Sequence, residues 1–551
     1  MSRAAAANAA LRLATFASRA RISRALDDPS VGQRASLSEA LRCAAGTHFA
    51  RQHGLTKASP YPSFARQVPL ADYGHYQSQI DAHANGRQRV LTSEPIRRFE
   101  RTSGSTGGAK LIPITTTFLK QFQRTVNAWL NDLHGSYPGV SQGRAYWSLS
   151  PLAKSAERTA GGIAIGLEDD TEYLGRLERF VTRHALVRPV ALDAAETART
   201  FRRNTLAELL CAPDLALISV WSPTFLLGLL DELENQEALL REVHDRDAAR
   251  AVSVERILRD HDGRADHIAR LWPHLALISC WADAGAERHA RNLSTIFPNV
   301  AIQPKGLLST EAVVSVPLRS LGDPVLAVTG HFLEFLPAED VDRSIIGTAR
   351  PCLRVGELEV GRRYVPIVTT GGGLYRYVTG DIVAVTGRVG ETEQCRFVGR
   401  WDDCVDLVGE KLFEGNVSDL KRDLEVTLGA ELSVIVAPDT TSDRPSYVFV
   451  VGLAQREDGH DFAQLSSQLR DALADSLSKN PYYEHAKAVG QLGDEQIAIV
   501  ATPDEAWRIY ERACVRVGQR LGDIKPTSLS RREDIGAIMI DLVEEGTGVV
   551  L

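Results

Sequence analysis

Leu215-Ala-Leu-Ile-Ser-Val-Trp221 and Leu275-Ala-Leu-Ile-Ser-Cys-Trp281 are nearly one heptapeptide written twice. Continuous apolar runs of this length, without the alternation of a half-exposed strand, mark strands buried on both faces. Ser222-Pro223 follows the first run and supplies an N-cap and a first-turn proline for a helix carrying Phe225, Leu226, Leu229, Leu230 and Leu233. Strand then helix, twice, predicts an α/β fold built on a parallel sheet. The echo is read as two core strands and not as a duplication. In such sheets ligands sit beyond the carboxyl ends of the strands, which places Trp221 and the segment Trp281-Ala-Asp-Ala-Gly285 beside a binding crevice.

Working outward, the first hundred residues read mostly helical, with Leu37, Ala40, Leu41 and Ala44 on one helix face, and then break at Pro60, Pro62 and Pro69. Residues 1–26 are Ala-rich and Arg-rich with no acid before Asp27, which suits either a transit peptide or an N-terminal helix with Leu11, Ala14, Thr15 and Ser18 on one face. From about residue 325 the pattern turns to shorter β-type segments: Val325–Val328, Tyr364–Thr369, Ile382–Thr386 and Arg396–Val398. Beyond Trp401-Asp402-Asp403 come strands at Leu432–Val436 and Tyr447–Val451 and a helix at Phe462–Ser478. A boundary near Arg400 therefore predicts a large domain over 1–400 and a smaller one over 401–551.

The 551 residues exceed one compact core, and 44% hydrophobic with 24% charged content is ordinary for a soluble globular protein. A net charge of -7 argues against a nucleic-acid partner, and no apolar run is long enough for a membrane span. The seven cysteines are scattered without a C-x-x-C pair, which fits a reducing, cytoplasmic compartment and no zinc site.

Residues 102–110 read Thr-Ser-Gly-Ser-Thr-Gly-Gly-Ala-Lys. Hydroxyls, glycines and a terminal lysine this dense build a loop whose backbone N–H groups converge on phosphate oxygens, although the spacing is not that of a P-loop. A flexible linker has similar composition. The flanks Ile96–Glu100 and Leu111–Ile114 decide for a turn held by a core. A helix over Thr116–Leu133 directs its N-terminus, which favours anions, towards whatever the loop binds.

Four further segments carry chemistry. Gly306-Leu-Leu-Ser-Thr-Glu311 follows the apolar strand Val300–Ile302, and the Glu311 carboxylate suits a magnesium ion bridging phosphates. Leu374-Tyr-Arg-Tyr-Val-Thr-Gly-Asp381 ends in an acid suited to ribose hydroxyls. Gly399-Arg-Trp-Asp-Asp403 reads as a polar hinge followed by Gly409-Glu-Lys-Leu412, and Gly522-Asp-Ile-Lys-Pro526 presents a lysine beside a proline. Each alone is an ordinary turn or surface charge; their order and spacing together are informative.

Through these segments, and through Ala45–Arg51, Val68–Tyr73, Val90–Pro95, Leu271-Trp-Pro, Phe332-Leu-Glu-Phe335 and Gly373–Tyr377, the chain resembles the auxin-responsive Gretchen Hagen family of acyl-acid amido synthetases, as a bacterial-type member. That family is related to the adenylate-forming superfamily. The resemblance implies a large N-terminal adenylate-forming domain with mixed and parallel sheets flanked by helices, plus a smaller, mobile α+β C-terminal domain. It implies an ATP- and magnesium-dependent ligase that activates a carboxylic acid as its acyl-adenylate and passes the acyl group to an amine such as an amino acid. Ser103, Gly104, Ser105, Thr106, Gly107 and Gly108 then cradle the phosphates with Lys110 assisting, and Thr310 and Glu311 orient the α-phosphate and the metal. Asp381 holds the ribose, adenine lies on the Gly306-Leu307-Leu308 backbone, and Arg400, at the hinge, is a further nucleotide-binding residue. Lys525, or in competition Lys411, bridges the attacking carboxylate and the phosphate, while Trp221, Trp281 and Gly285 border the acyl pocket. Ala312, where the family often has glycine, and Val378-Thr379 before Gly380 depart from the family pattern. A thioester ligase using coenzyme A or a carrier protein, and a nucleotide-binding protein without catalysis, are the alternatives; a monomer or weak homodimer is expected.

Overall fold

A computed structural model describes residues 2–101, 110–147, 157–166, 184–187, 198–260, 263–341, 343–401, 404–405, 407–408, 410, 412–442, 444–453, 462–488, 490–519, 521, 524–546 and 548–550. These fall into two compact units, one ending at Val398 and the other formed by Gly399–Leu551. No helix among the described residues is long and apolar enough to cross a membrane.

The first unit opens with the helix Arg3–Asp27, capped by Ser2 and buried along Ala4, Asn8, Leu11, Thr15, Ile22 and Leu26. Ala14 and Ser18 lie at the margin of this stripe. Its polar members are paired internally: Asn8 Nδ2 donates to the Gly143 carbonyl at 2.9 Å, and Thr15 Oγ1 to that of Leu11 at 2.8 Å. The next helix, Pro29–Ala44, buries Leu37, Ala40, Leu41 and Ala44 as their spacing requires.

Strands Arg144–Trp147, Leu215–Ser219, Leu277–Cys280 and Ala301–Pro304 lie side by side, every pair parallel. The two central strands are buried along their length, as their unbroken apolar runs demand. Ser222 caps the helix Pro223–Leu230, with its side chain accepting from the Thr224 N–H. Leu233, expected on that helix, falls instead in the 3-10 turn Asp231–Glu234.

A larger, mainly antiparallel sheet includes Phe332–Pro337, Arg363–Thr369, Asp381–Val389 and Thr392–Arg400. A third sheet pairs Arg98–Arg101 with Leu111–Ile114. In the second unit, Leu432–Asp439, Ser446–Leu453, Gln496–Val500 and Val549–Val550 form a mixed sheet. Alternation along its first strand sends Val434 and Val436 into one core, with Leu424 and Leu469. Ile435 and Ala437 face the other, with Trp507 and Met539. The observed architecture is thus α/β in the first unit and α+β in the second.

Candidate active site

The stretch 102–110 connects two antiparallel strands whose register puts Arg101 opposite Leu111 and Phe99 opposite Pro113. Phe99, Ile112 and Ile114 are fully buried, so the frame of the loop is part of the core. Ser103, Gly104, Ser105, Thr106, Gly107 and Gly108 lie outside the described residues. Lys110 is described: its Nζ sits 5.7 Å from the centre of the Tyr73 ring. The Tyr73 hydroxyl accepts the Leu111 N–H at 2.8 Å, which anchors the second strand at its first residue.

The helix following this hairpin, Thr116–Ser136, is capped by Thr115, whose Oγ1 accepts from the Phe118 N–H. Its N-terminus already holds an anion supplied by the chain. Glu94 accepts the Thr117 N–H at 3.0 Å and the Thr117 hydroxyl at 2.6 Å. The expectation that this terminus serves a ligand anion is therefore corrected for the Thr117 donor.

At the carboxyl ends of the parallel strands, Trp221 and Trp281 come together, with ring centres 5.9 Å apart, and the Trp281 N–H donates to the Trp221 carbonyl at 2.8 Å. Gly285 sits in the short turn Ala284–Ala286, entered through Ala284 at a left-handed φ of 50°. Just before it, burial raises the Asp283 carboxyl to about 6.

Lys305, which belongs to none of the sequence motifs, lies between the two tryptophan-bearing strand ends and the turn that carries Glu311. Its ammonium donates to Ser219 Oγ at 2.9 Å, with Ser279 Oγ at 3.5 Å. It stands 5.3 Å from the Trp129 ring centre and 5.2 Å from that of Trp221. Desolvation lowers its pKa to about 8. A lysine directly after the apolar segment Val300–Ile302 was the available signal.

The turn itself is tightly built. Leu308 bridges to Val313, Ser309 N–H donates to the Ala312 carbonyl at 2.9 Å, and the Ala312 N–H returns to Ser309 Oγ at 3.2 Å. Thr310 and Glu311 occupy the tip, both half-buried. Gly306 is held so closely that an added Cβ would fall 2.3 Å from the Ser315 carbonyl oxygen. Asp381 begins the strand Asp381–Val389 after Gly380, whose φ is 86°, and is 7% exposed. No group of three or more His, Cys, Asp or Glu side chains among the described residues is gathered to hold a metal. A single carboxylate at Glu311 suits a magnesium ion that takes its other ligands from phosphates and water.

In the second unit Arg400 ends the strand Thr392–Arg400 and is half-buried. Lys411 lies outside the described residues. Its neighbour Glu410 is fully buried, accepting the Leu407 and Val408 N–H groups, each at 2.8 Å, and the Tyr447 hydroxyl. The acid of the Gly-Glu-Lys-Leu motif is therefore a structural tie. Lys525 is exposed on a segment fixed at both sides. Ile524 is buried before it, and Glu414 binds the Thr527 hydroxyl at 3.0 Å and the Ser528 N–H at 2.9 Å after it.

Comparison with known proteins matches residues 18–302 to the GH3 family N-terminal domain, 324–400 to its central domain and 419–534 to its C-terminal domain. The indole-3-acetic acid-amido synthetase GH3.8 of Oryza sativa subsp. indica is 26% identical over 428 residues, which is 71% of this chain and 69% of the relative. The indole-3-acetic acid-amido synthetase GH3.4 of Arabidopsis thaliana is 22% identical over 430 residues, 72% of this chain and 71% of the relative. The solved structure of AtGH3.15 acyl acid amido synthetase in complex with 2,4-DB superposes with a TM-score of 0.77 at 20% identity, covering 96% of each chain. The three domain matches together take in the hairpin, the strands Arg144–Trp147, Leu215–Ser219 and Leu277–Cys280, and the Lys525 segment, with the N-terminal match alone covering more than half of the chain, and on that ground the chain belongs to the GH3 family.

Proposed function

We propose that this protein is an ATP-dependent ligase that activates a carboxylic acid as its acyl-adenylate, releasing pyrophosphate, and joins the acyl group to the amine of an amino acid. The observation that carries the reading is the GH3 family match over all three domains. Such a reaction asks the protein for positioning and for charge where the transition state develops it. We assign the leaving phosphates to the backbone of residues 103–108 with Lys110 beside them. Thr310 and Glu311 orient the α-phosphate, Asp381 takes the ribose hydroxyls, and adenine lies against Gly306-Leu307-Leu308. Magnesium, when bound with the nucleotide, neutralises phosphate charge next to Glu311. Lys525 or Lys411 supplies the cation that steers the attacking carboxylate, and rotation of the C-terminal unit about 400–403 exchanges the two half-reactions. The half-buried Trp221 and Trp281 border the acyl pocket with Gly285. Six cysteines among the described residues are free thiols, which supports a reducing, cytoplasmic setting.

The test is ATP–pyrophosphate exchange over a panel of carboxylic acids, followed by product analysis with amino acids and with coenzyme A. Exchange with at least one acid and amide formation with an amino acid are expected. Absence of exchange with every acid overturns the ligase reading, and thioester formation without amide overturns the acceptor. Lys525→Ala is expected to slow exchange about a hundredfold or more. An unchanged rate passes the first-step role to Lys411.

A further inference from the structure

Lys305 and Gln303 stand two residues apart at the end of the strand Ala301–Pro304, and both border the Trp129 indole. Trp129 Nε1 is only a donor, and it donates to Gln303 Oε1 at 3.0 Å, which fixes the amide orientation. The Gln303 Nε2 group therefore points away from Trp129. It is buried without a hydrogen-bond partner among the described residues, on a residue only 4% exposed. Lys305, beside it, has hydroxyls and indole faces for company, and no carboxylate among the described residues forms an ion pair with it. Gln303 Nε2 thus has no acceptor among the described residues, and the ammonium two positions on has neutral hydroxyl acceptors but no anion. A buried N–H without a partner and a desolvated ammonium without a counter-charge are both costly, and one anionic group meets both needs.

The proposed reaction already draws its cation for the reacting carboxylate from Lys525 or Lys411, so Lys305 is a surplus positive charge in the acyl crevice. The tryptophan rings around it offer flat apolar walls. We propose that Lys305, with Gln303, makes this enzyme selective for carboxylic acids that carry a second anionic group, which the ammonium and the amide bind together. The inference rests on the ligase reading for the identity of the crevice, but the charge selectivity can be read without turnover. Lys305 is a specificity-determining residue in this scheme. The reacting carboxylate is handled elsewhere.

The experiment uses the full-length protein and follows binding by tryptophan fluorescence, since Trp129, Trp221 and Trp281 border the site. The probes are dicarboxylic acids such as 4-carboxyphenylacetate, isophthalate and glutarate, each paired with its monoamide, which keeps shape and removes one charge. At least one diacid is expected to bind about thirtyfold or more tightly than its monoamide, as for a desolvated, hydrogen-bonded charge pair. Lys305→Gln and Lys305→Met are expected to abolish that difference. Removal of a poorly paired charge seldom unfolds a protein, and wild-type discrimination is a test by itself. Equal binding of every pair by the wild type overturns the proposal, as does a Lys305→Gln protein that discriminates as well as the wild type. A Lys305→Gln protein that loses exchange equally for mono- and dicarboxylic acids, or loses only the amide-forming step, overturns it too. Discrimination in binding without exchange for any acid upholds the charge selectivity while removing the ligase reading, so the two failures are distinct.

Discussion

Arg376 and Glu334 face each other at 3.0 Å with neither side chain exposed to solvent. Arg376 also donates to the carbonyls of Ala65 at 2.8 Å, Val68 at 3.0 Å and Arg350 at 2.7 Å, and its backbone takes a left-handed φ of 49°. One guanidinium thus ties the helix Tyr61–Gln67, the strand Phe332–Pro337 and the segment before Cys352 into a single core. Glu334 is completed by the Tyr61 hydroxyl at 3.0 Å.

Arg376→Met is expected to destabilise the first unit by about 3–5 kcal/mol, because it leaves a buried carboxylate and several carbonyls without donors. Glu334→Gln keeps the shape and one acceptor, so its loss is smaller. Urea denaturation followed by fluorescence measures both, and equal midpoints for the two variants contradict the account.

Gly306→Ala places a methyl against the Ser315 carbonyl at 2.3 Å, a backbone atom that has nowhere to retreat. A loss of about 1–3 kcal/mol is expected, with the Thr310–Glu311 turn displaced and exchange reduced in proportion. A variant with wild-type stability and exchange shows that the strand and the turn are not packed as described.

Burial holds His83 and His134 near 4 and His331 near 3, below the ordinary histidine range. His83 Nε2 accepts the Leu91 N–H at 3.0 Å, a bond that exists only while the ring is neutral. The folded pKa values are depressed, so the unfolded chain binds protons that the folded one refuses. Stability is full above about pH 6.5 and falls as the pH drops towards 4. Thermal melts at pH 7.5, 5.5 and 4.5 are expected to show that fall, and His83→Gln is expected to make it shallower.

Asp283 behaves in the opposite sense. Its folded pKa is raised to about 6, so the stability of its neutral form is lost as the pH rises through 6. Asp283→Asn is expected to raise the melting temperature at pH 7.5 and to change it little at pH 4. The reverse pattern rules out desolvation as the dominant effect.

Glu94→Ala removes the acceptor of both the Thr117 N–H and its hydroxyl at a helix N-terminus, and a loss of about 1 kcal/mol is expected from chemical denaturation. High salt is expected to shrink the difference between Glu94→Gln and the wild type.

Much of the frame was legible because local chemistry and burial agree. The apolar runs before Trp221 and Trp281 became central parallel strands, and Ser222-Pro223 began a helix, as capping chemistry requires. What escaped notice was long-range. Arg376 and Glu334 each lay in a motif that the eye picks out, but nothing in the chain says that the two touch. Lys305 stood outside every motif, and its setting is made by helix 116–136, which brings Trp129 over it, and by the strand ends, which bring Ser219 and Ser279 beside it. The anion at the Thr116 helix was sought outside the protein, although Glu94 had been in view in the Val90–Pro95 segment. Pairings over large sequence separation leave no periodicity to read.

The pairing of Arg101 with Leu111 has a consequence for how the loop at 102–110 can change. In an antiparallel pair the facing backbones lie about 5 Å apart, so folding of the sheet alone fixes where the loop begins and ends. A ligand of the loop does not have to gather those ends. The segment is in effect a cassette with welded terminals: the ladder beneath it closes it whatever its contents, and altered length adds closure cost only slowly. Innovation within the loop is thereby separated from closure of the sheet that carries it.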